Sequence, residues 1–169
     1  MTYSKAAVAA ALLAFGRAGS AVGDMWIQND FCAKAKAATD KAPVTYKNEK
    51  TGAETTHGTA DGRRACIHHC LTYTATQALA VGVSARVLGI RLHPGAAAAA
   101  LAISGVTHYI ADRRVPGGVL ETLARKTRKG SFYKLASHGM NGAFQLDNAY
   151  HHGWEAVAAL VATTGASER

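Results

Sequence analysis

The residues in this sequence whose types and spacing could do chemistry are histidines and aspartates set four positions apart. Side chains with this spacing lie on the same face of an α-helix. His108 and Asp112 end an alanine-rich apolar run, so an imidazole and a carboxylate would project together from an otherwise apolar helix. The spacing recurs in two other stretches, as Asp24 with Gln28 and as Asp147 with His151. Three such pairs predict one convergent polar site.

These side chains are of the types that bind divalent metal ions. Imidazole nitrogens and carboxylate oxygens suit zinc, manganese or iron, and a helical bundle can supply them from facing helices. A carboxylate that is not a ligand can orient an imidazole or deprotonate a metal-bound water. The sequence therefore predicts a zinc or manganese site with ligands from Asp24, His69, His108, Asp112, Asp147 and His151. Asp24, His108 and Asp112 are the candidates for catalytic roles.

Two alternative interpretations of the histidines, aspartates and cysteines involve no catalysis. In the first, each histidine donates a hydrogen bond to an aspartate, and threonine or tyrosine hydroxyls satisfy the remaining carboxylate oxygens. In the second, Cys32, Cys66, His69 and Cys70 hold a structural zinc ion. Zinc-binding cysteines usually lie on a turn, whereas His69 and Cys70 would point about 100° apart on a helix. Buried thiols are the ordinary interpretation of these cysteines.

The elements that must position these residues are predicted to be helices. Hydrophobic residues make up 49% of the chain but aromatic ones only 7%, so small aliphatic side chains must carry the packing. We expect an all-α bundle of four or five helices in a single domain, 1–169. The predicted helices cover about 5–37 with a break near 16–23, then 63–92, 94–113, a short basic helix at 119–129, and 144–164.

A long polar excursion follows the first helix. Residues 40–64 are rich in Lys, Glu, Thr and Gly, which predicts a flexible loop. His57 lies in this segment and is predicted to be exposed to solvent.

Basic residues give the chain a formal net charge of +8. They cluster at Arg63-Arg64, Arg113-Arg114 and 125–129, near predicted helix ends. Such clusters either bind anionic lipid or nucleic acid, or form a solvated rim. The three cysteines cannot all pair within the chain, which favours a reducing compartment.

The apolar stretches do not read as clean membrane spans. Gln77, Arg86 and Arg91 interrupt the run 71–92, and the third predicted helix ends in its His/Asp pair. The run 6–15 after Lys5 is similar to a signal peptide, but Arg17 follows it closely, so we interpret it as a first helix. The expected location is cytoplasmic or membrane-associated.

Four short motifs resemble a family of small helical bacterial and phage proteins, a domain of unknown function often labelled membrane protein. They are GDMWIQ at 23–28 with Ala33 and Lys36 after it, HCLTYT at 69–74, VTHYIADRR at 106–114 and LDNAYH at 146–151. The resemblance implies that the polar positions of the family are Asp24, Gln28, His69, His108, Asp112, Asp147 and His151. Family members often have histidine where this chain has Ser20, which implies weaker or different metal binding here.

The sequence supports two classes of function. The first is a metal-dependent hydrolase-like activity on a phosphate-containing or lipid-linked substrate, since the motifs are also similar to those of membrane-bound metal-dependent hydrolases. The alternative is a non-enzymatic accessory or regulatory protein, phage or bacterial, whose polar cluster is structural and whose basic rim binds lipid or nucleic acid. The sequence has no Walker-type phosphate loop, Rossmann glycine fingerprint or nucleophile elbow, which argues against those enzyme classes.

Overall fold

The computed structural model describes residues 3–137 and 139–168, which form seven α-helices and three two-stranded antiparallel sheets. The mainly helical prediction is confirmed, although the all-α prediction did not include the short strands. The helices are α1 (Lys5–Val22), α2 (Asp30–Ala35), α3 (Thr59–Val87), α4 (Pro94–Asp112), α5 (Val119–Lys126), α6 (Gly130–Tyr133) and α7 (Gly142–Thr163). The strands are β1 (Val44–Lys47), β2 (Glu54–His57), β3 (Ile90–Arg91), β4 (Ala136–Ser137), β5 (Met140–Asn141) and β6 (Ser167–Glu168).

The first helix continues through Gly16 and Gly19 and ends at Val22, within the range 16–23 in which a break was predicted. A Cβ added at Gly19 would lie 2.7 Å from the Cβ of Ala80, and one at Gly23 would lie 2.9 Å from the Cα of Tyr73. Both glycines therefore allow a close approach to α3, and only Gly23 lies where α1 ends. After α1 the backbone widens into a π-helical turn, Gly23–Ile27, and the helix ends because Gln28 is extended.

The chain divides into two compact units. The described part of the first unit comprises 3–28, 70–107 and 151–168, and the second unit comprises 29–69 and 108–150. Helices α3, α4 and α7 contribute residues to both units.

Small side chains dominate the core of the first unit, as the composition predicted. Leu12 and Ala100 pack there with three alanines of α7, and larger residues such as Ile103 lie partly buried against them. The short strands β3 and β6 pair in this unit, with Ile90 opposite Glu168.

A β-hairpin occupies part of the segment predicted to be a loop. Strands β1 and β2 pair with Val44 opposite His57, and Phe31 packs edge-on against His57 at 4.9 Å between ring centroids. The imidazole of His57 is only 15% exposed, and its Nδ1 lies 2.9 Å from Asp61 Oδ2. The prediction that His57 is solvent-exposed was therefore wrong.

One helical stretch among the described residues, Lys5–Ile27, has the length and hydropathy that a membrane-spanning helix needs. Its most apolar window has a mean hydropathy of 1.5. Signal sequences and core helices of soluble proteins share both properties.

Candidate metal centre

Three side chains of the types that bind metal ions converge in the second unit. His108 and Asp112 come from the last turns of α4, and His69 comes from α3. The Nε2 atoms of the two histidines are 2.9 Å apart. Asp112 Oδ2 lies 3.2 Å from Nε2 of His69 and 3.6 Å from Nε2 of His108. All three side chains are at most 1% exposed.

This triangle of donor atoms has the dimensions of a metal-ligand set. With sides of 2.9, 3.2 and 3.6 Å, the point equidistant from the three atoms lies about 1.9 Å from each of them. Zinc is bound at about 2.0–2.2 Å by imidazole nitrogen and carboxylate oxygen. His69, His108 and Asp112 would therefore be the residues that hold such an ion, because their donor atoms are spaced as ligands of one ion are.

The ammonium group of a lysine contacts the same carboxylate oxygen, Asp112 Oδ2. Lys36, which caps the C-terminus of α2, places its Nζ 2.6 Å from Asp112 Oδ2, and the side chains are 6% and 1% exposed. A carboxylate buried at a helix C-terminus is disfavoured both by desolvation and by the helix dipole, so it needs a nearby cation. The Lys36 ammonium supplies that cation within the protein itself.

The position of Lys36 is fixed through its backbone. The guanidinium of Arg113 donates hydrogen bonds to the carbonyl of Lys36 and to that of Ala38, the second at 3.3 Å. Gly62 leaves the necessary space, because a Cβ there would lie 2.4 Å from the Ala38 oxygen and 2.9 Å from Nη1 of Arg113. The end of α2 is thus held by an arginine that directly follows Asp112.

Asp147 joins this group through Arg114. The Arg114 guanidinium donates to Oδ2 of Asp147 and lies 3.6 Å from Oδ1 of Asp112. Arg114 also has a backbone φ of 37°, in the left-handed region that a non-glycine residue rarely adopts. Arg113 and Arg114, one of the basic clusters seen in the sequence, contact carbonyl and carboxylate oxygens of the second unit.

The first unit contains a polar network as well. The hydroxyl of Tyr73 donates to Glu155 Oε1 at 2.9 Å, and Arg17 Nη1 lies 3.3 Å from Glu155 Oε2. Burial, followed by the nearby charge of Glu155, raises the pKa of Tyr73. His151 belongs to this unit, with its ring centroid 6.4 Å from that of Tyr73. Glu155 follows Asp147 and His151 on successive turns of α7, but it was not among the predicted site residues.

The predicted pairing of Asp24 with Gln28 on one α-helical face is wrong. Asp24 lies in the π-helical turn, and Gln28 is extended with φ −61° and ψ 124°, so the two residues do not have α-helical spacing. Both belong to the first unit. The role of Asp24 and His151 as metal ligands stays a prediction from the sequence.

The three cysteines are free and buried, in keeping with their ordinary interpretation. Cys32 Sγ lies 3.4 Å from Nδ1 of His68, and Cys66 Sγ lies 3.9 Å from the carbonyl oxygen of Tyr109. Burial raises the pKa of the Cys32 thiol, which disfavours the thiolate that binds zinc. His69, meanwhile, directs its Nε2 to His108 and Asp112.

No family model matches the chain, and neither does any curated protein or any solved structure.

Proposed function

We propose that this protein binds a divalent ion, zinc or manganese, and uses it for hydrolytic chemistry on a phosphate-containing substrate. The observation that carries the proposal is the convergence of His69 Nε2, His108 Nε2 and Asp112 Oδ2 within 3.6 Å of one another in a buried site. Two histidines and one carboxylate leave coordination positions open, which is characteristic of catalytic rather than structural metal sites. The helical bundle, in which facing helices supply ligands, is part of this proposal.

A basic cavity in the second unit supports the phosphate-containing substrate. The cavity has a volume of about 450 Å³, and Arg63, Arg113 and Arg114 are among the residues that line it. Guanidinium groups are the donors that best match phosphate oxygens. Arg114 both lines the cavity and contacts Asp112, so it connects the proposed substrate pocket with the ligand set.

In this proposal the chain's own residues bind, orient and neutralise charge. A bound ion would supply a water of lowered pKa and polarise a phosphoryl oxygen. Lys36 and Arg114 hold the carboxylate of Asp112 in place, and Lys36 lies close enough to neutralise it. The guanidinium of Arg63, on an exposed residue at the cavity, is available to attract the phosphate group.

Metal analysis of the purified protein tests the proposal directly. We expect about one equivalent of zinc or manganese per chain. His69→Gln and His108→Gln should each weaken binding at least tenfold, since each removes a ligand. His57→Gln is the matched control, because His57 is also a largely buried histidine next to an aspartate in the second unit but lies outside the triangle.

The same protein preparations can be assayed for hydrolytic activity. Wild-type protein loaded with zinc or manganese should hydrolyse a simple phosphomonoester such as p-nitrophenyl phosphate, and a chelator should stop the reaction. If the wild-type protein binds neither ion, and neither ion changes its melting temperature, the proposal is wrong. His69, His108 and Asp112 then form a hydrogen-bonded polar core.

Lys36 favours a second candidate, a non-enzymatic accessory protein whose polar cluster is structural. Because its ammonium neutralises the carboxylate of Asp112, the cluster needs no metal ion to balance that negative charge. The basic residues would then serve to bind nucleic acid or anionic lipid. Binding of a duplex DNA or of vesicles containing an anionic lipid, weakening steeply with salt and unaffected by chelators, would support this candidate.

A further inference from the structure

The β-hairpin of the second unit brings together a threonine, a histidine and an aspartate. Thr55 Oγ1 lies 2.7 Å from Nε2 of His57, and Nδ1 of the same ring lies 2.9 Å from Oδ2 of Asp61. All three residues belong to the second unit, and none of them is a proposed metal ligand. A hydroxyl, an imidazole and a carboxylate connected in this order form the set of groups that activates a nucleophile for acyl transfer.

The carboxylate of Asp61 determines which ring nitrogen of His57 carries the proton. An ionised carboxylate can only accept a hydrogen bond, so the proton of the neutral ring is on Nδ1. Nε2 then has a free lone pair and accepts a hydrogen bond from the hydroxyl of Thr55. This is the arrangement in which an imidazole can take a proton from a hydroxyl group that attacks a carbonyl carbon.

The local structure holds these side chains in position. Thr55 and His57 are two residues apart on β2, so both project from the same face of the strand. Asp61 lies in the first turn of α3, and the start of that helix is fixed because Asp40 Oδ1 accepts from its first backbone amide at 2.9 Å. Phe31 packs edge-on against the His57 ring, which restricts the rotation of the imidazole.

The base is shielded from water, whereas the hydroxyl is not. The side chain of His57 is 15% exposed, and Thr55 is an exposed residue. The Thr55 hydroxyl is therefore open to a reagent from solution. An exposed site stabilises an oxyanion less than a site that excludes water, so the acyl donor must already carry a good leaving group.

We propose that Thr55 accepts an acyl group from a thioester, with His57 as the general base. A bond forms between Thr55 Oγ1 and the carbonyl carbon, and the carbon–sulfur bond of the thioester breaks. His57 Nε2 takes the hydroxyl proton and passes it to the departing thiolate, so the products are a threonine ester and a free thiol. Asp61 is a positioning residue, because it acts through His57. The site shares no residue with the proposed metal centre, so the inference does not depend on the proposed function.

Phenyl thioacetate is a suitable probe, because thiophenol release and acetylation of the protein can be measured separately. The wild-type chain should release about one equivalent of thiophenol in a burst. Peptide mass spectrometry should place the acetyl group on Thr55. Hydroxylamine should then remove it, since this reagent cleaves esters but not the amides that lysines form.

Variants of the hairpin connect the reaction to the cluster. Thr55→Val should abolish the burst, because it removes the hydroxyl but keeps the shape of the side chain. Thr56→Val is the matched control, since Thr56 is exposed on the same strand but its Oγ1 lies 3.3 Å from Oγ1 of Thr45 and not beside an imidazole. His57→Gln should slow acetylation about a hundredfold or more through loss of the general base. Thermal unfolding checks that each variant is folded.

Asp61→Asn tests the positioning residue by a spectroscopic signature. Nitrogen NMR of the neutral His57 ring should find the proton on Nδ1 in the wild type and on Nε2 in the variant, because the asparagine amide can donate where the carboxylate accepts. Acetylation of this variant should be at least tenfold slower. A slower rate with the proton still on Nδ1 would overturn the role of Asp61.

Two results would overturn the site as a whole. One is an acetyl group that hydroxylamine does not remove, or that Thr55→Val acquires at the wild-type rate, since either places the reaction on another residue. The other is a wild-type His57 ring whose proton is on Nε2, since such a ring cannot take a proton from Thr55.

Discussion

His69 and His108 face each other through their Nε2 atoms at 2.9 Å, with ring centroids 4.9 Å apart. At this distance either one Nε2 donates a hydrogen bond to the other, or the lone pairs of both Nε2 atoms point towards one cation. Two protonated nitrogens cannot face each other so closely without strong repulsion. Asp112 Oδ2, 3.2 Å from Nε2 of His69, adds an acceptor that favours a cation at this point. The buried carboxylate of Asp112 therefore needs a nearby cation, which either Lys36 or a metal ion can supply.

Replacing Lys36 by methionine distinguishes these two sources of positive charge. Lys36→Met leaves the buried Asp112 carboxylate without its nearest cation, so we expect a loss of about 3 kcal/mol in the free energy of unfolding of the metal-free protein. If a metal takes the place of the ammonium, zinc should restore much of this loss and should raise the stability of the variant more than that of the wild type. Urea unfolding with chelator and with zinc measures both effects. Equal zinc effects in the two proteins would show that Lys36 and the metal do not compete.

Asp112→Asn tests the partner of that lysine. The change keeps the shape but removes the charge-assisted bond, so we expect it to cost about 1–3 kcal/mol in the metal-free protein. The double variant Lys36→Met with Asp112→Asn should be less destabilised than the sum of the single variants by about 1–3 kcal/mol, because the two side chains act as one unit. Strict additivity in urea unfolding would contradict the observed ion pair. Zinc affinity of Asp112→Asn, measured alongside, should fall at least tenfold if Asp112 is a ligand.

The sequence predicted the part of this cluster that local spacing encodes. His108 and Asp112 lie four residues apart on α4, and His69 lies on the long helix that was expected. Lys36 and Arg114 were not assigned to the site, because their contacts with Asp112 and Asp147 connect residues far apart in the chain or depend on a left-handed backbone. Charge alone suggests an exposed rim for such residues, and only the tertiary structure shows them paired with carboxylates.

The errors in the predicted fold also have physical causes. Strand β1 alternates between partly buried and exposed residues but is only four residues long, and β2 has no apolar residue, so the hairpin lacks a strand pattern long enough to be recognised. The predicted break near 16–23 coincides at its end with the change from α1 to the π-helical turn, whereas Gly19 serves close packing against α3. Helices α3, α4 and α7 were predicted to within about five residues, since their patterns extend over several turns, whereas the first helix was predicted to run to 37 and its helical stretch ends at Ile27.

Two glycines of α3 should respond to alanine in opposite directions. At Gly62 a Cβ would lie 2.4 Å from a backbone oxygen, so Gly62→Ala must displace the end of α2 and should cost about 1–3 kcal/mol. At Gly82 a Cβ would meet nothing within 4 Å, so Gly82→Ala should stabilise the protein by about 0.5–1 kcal/mol through helix propensity. Urea midpoints of the two variants against the wild type measure this difference. If Gly62→Ala unfolds at the same urea midpoint as the wild type, the close contact that holds Lys36 in position is contradicted.

The buried hydroxyl of Tyr73 should make stability depend on pH in the alkaline range. Burial and then the charge of Glu155 raise the pKa of Tyr73 in the folded protein above the unfolded value of 10.0. The unfolded chain therefore loses this proton first, so stability is fully present below pH 10 and falls as the pH rises further, by up to ~1.4 kcal/mol per pH unit from this group. Tyr73→Phe should be less stable than the wild type at pH 7, by about 1–3 kcal/mol, because Glu155 loses a hydrogen-bond donor.

Above pH 10 the two stability curves should converge. The wild type loses the contribution of the neutral hydroxyl, whereas the phenylalanine variant has none to lose. Tyr46→Phe is a suitable control, because Tyr46 lies in the hairpin, packed edge-on against Phe31 at 5.4 Å. Urea unfolding at steps from pH 8 to pH 11 measures all three proteins. Parallel curves for the wild type and Tyr73→Phe across this range would show that the hydroxyl titrates alike in the folded and unfolded chains, and that burial beside Glu155 does not hold its proton.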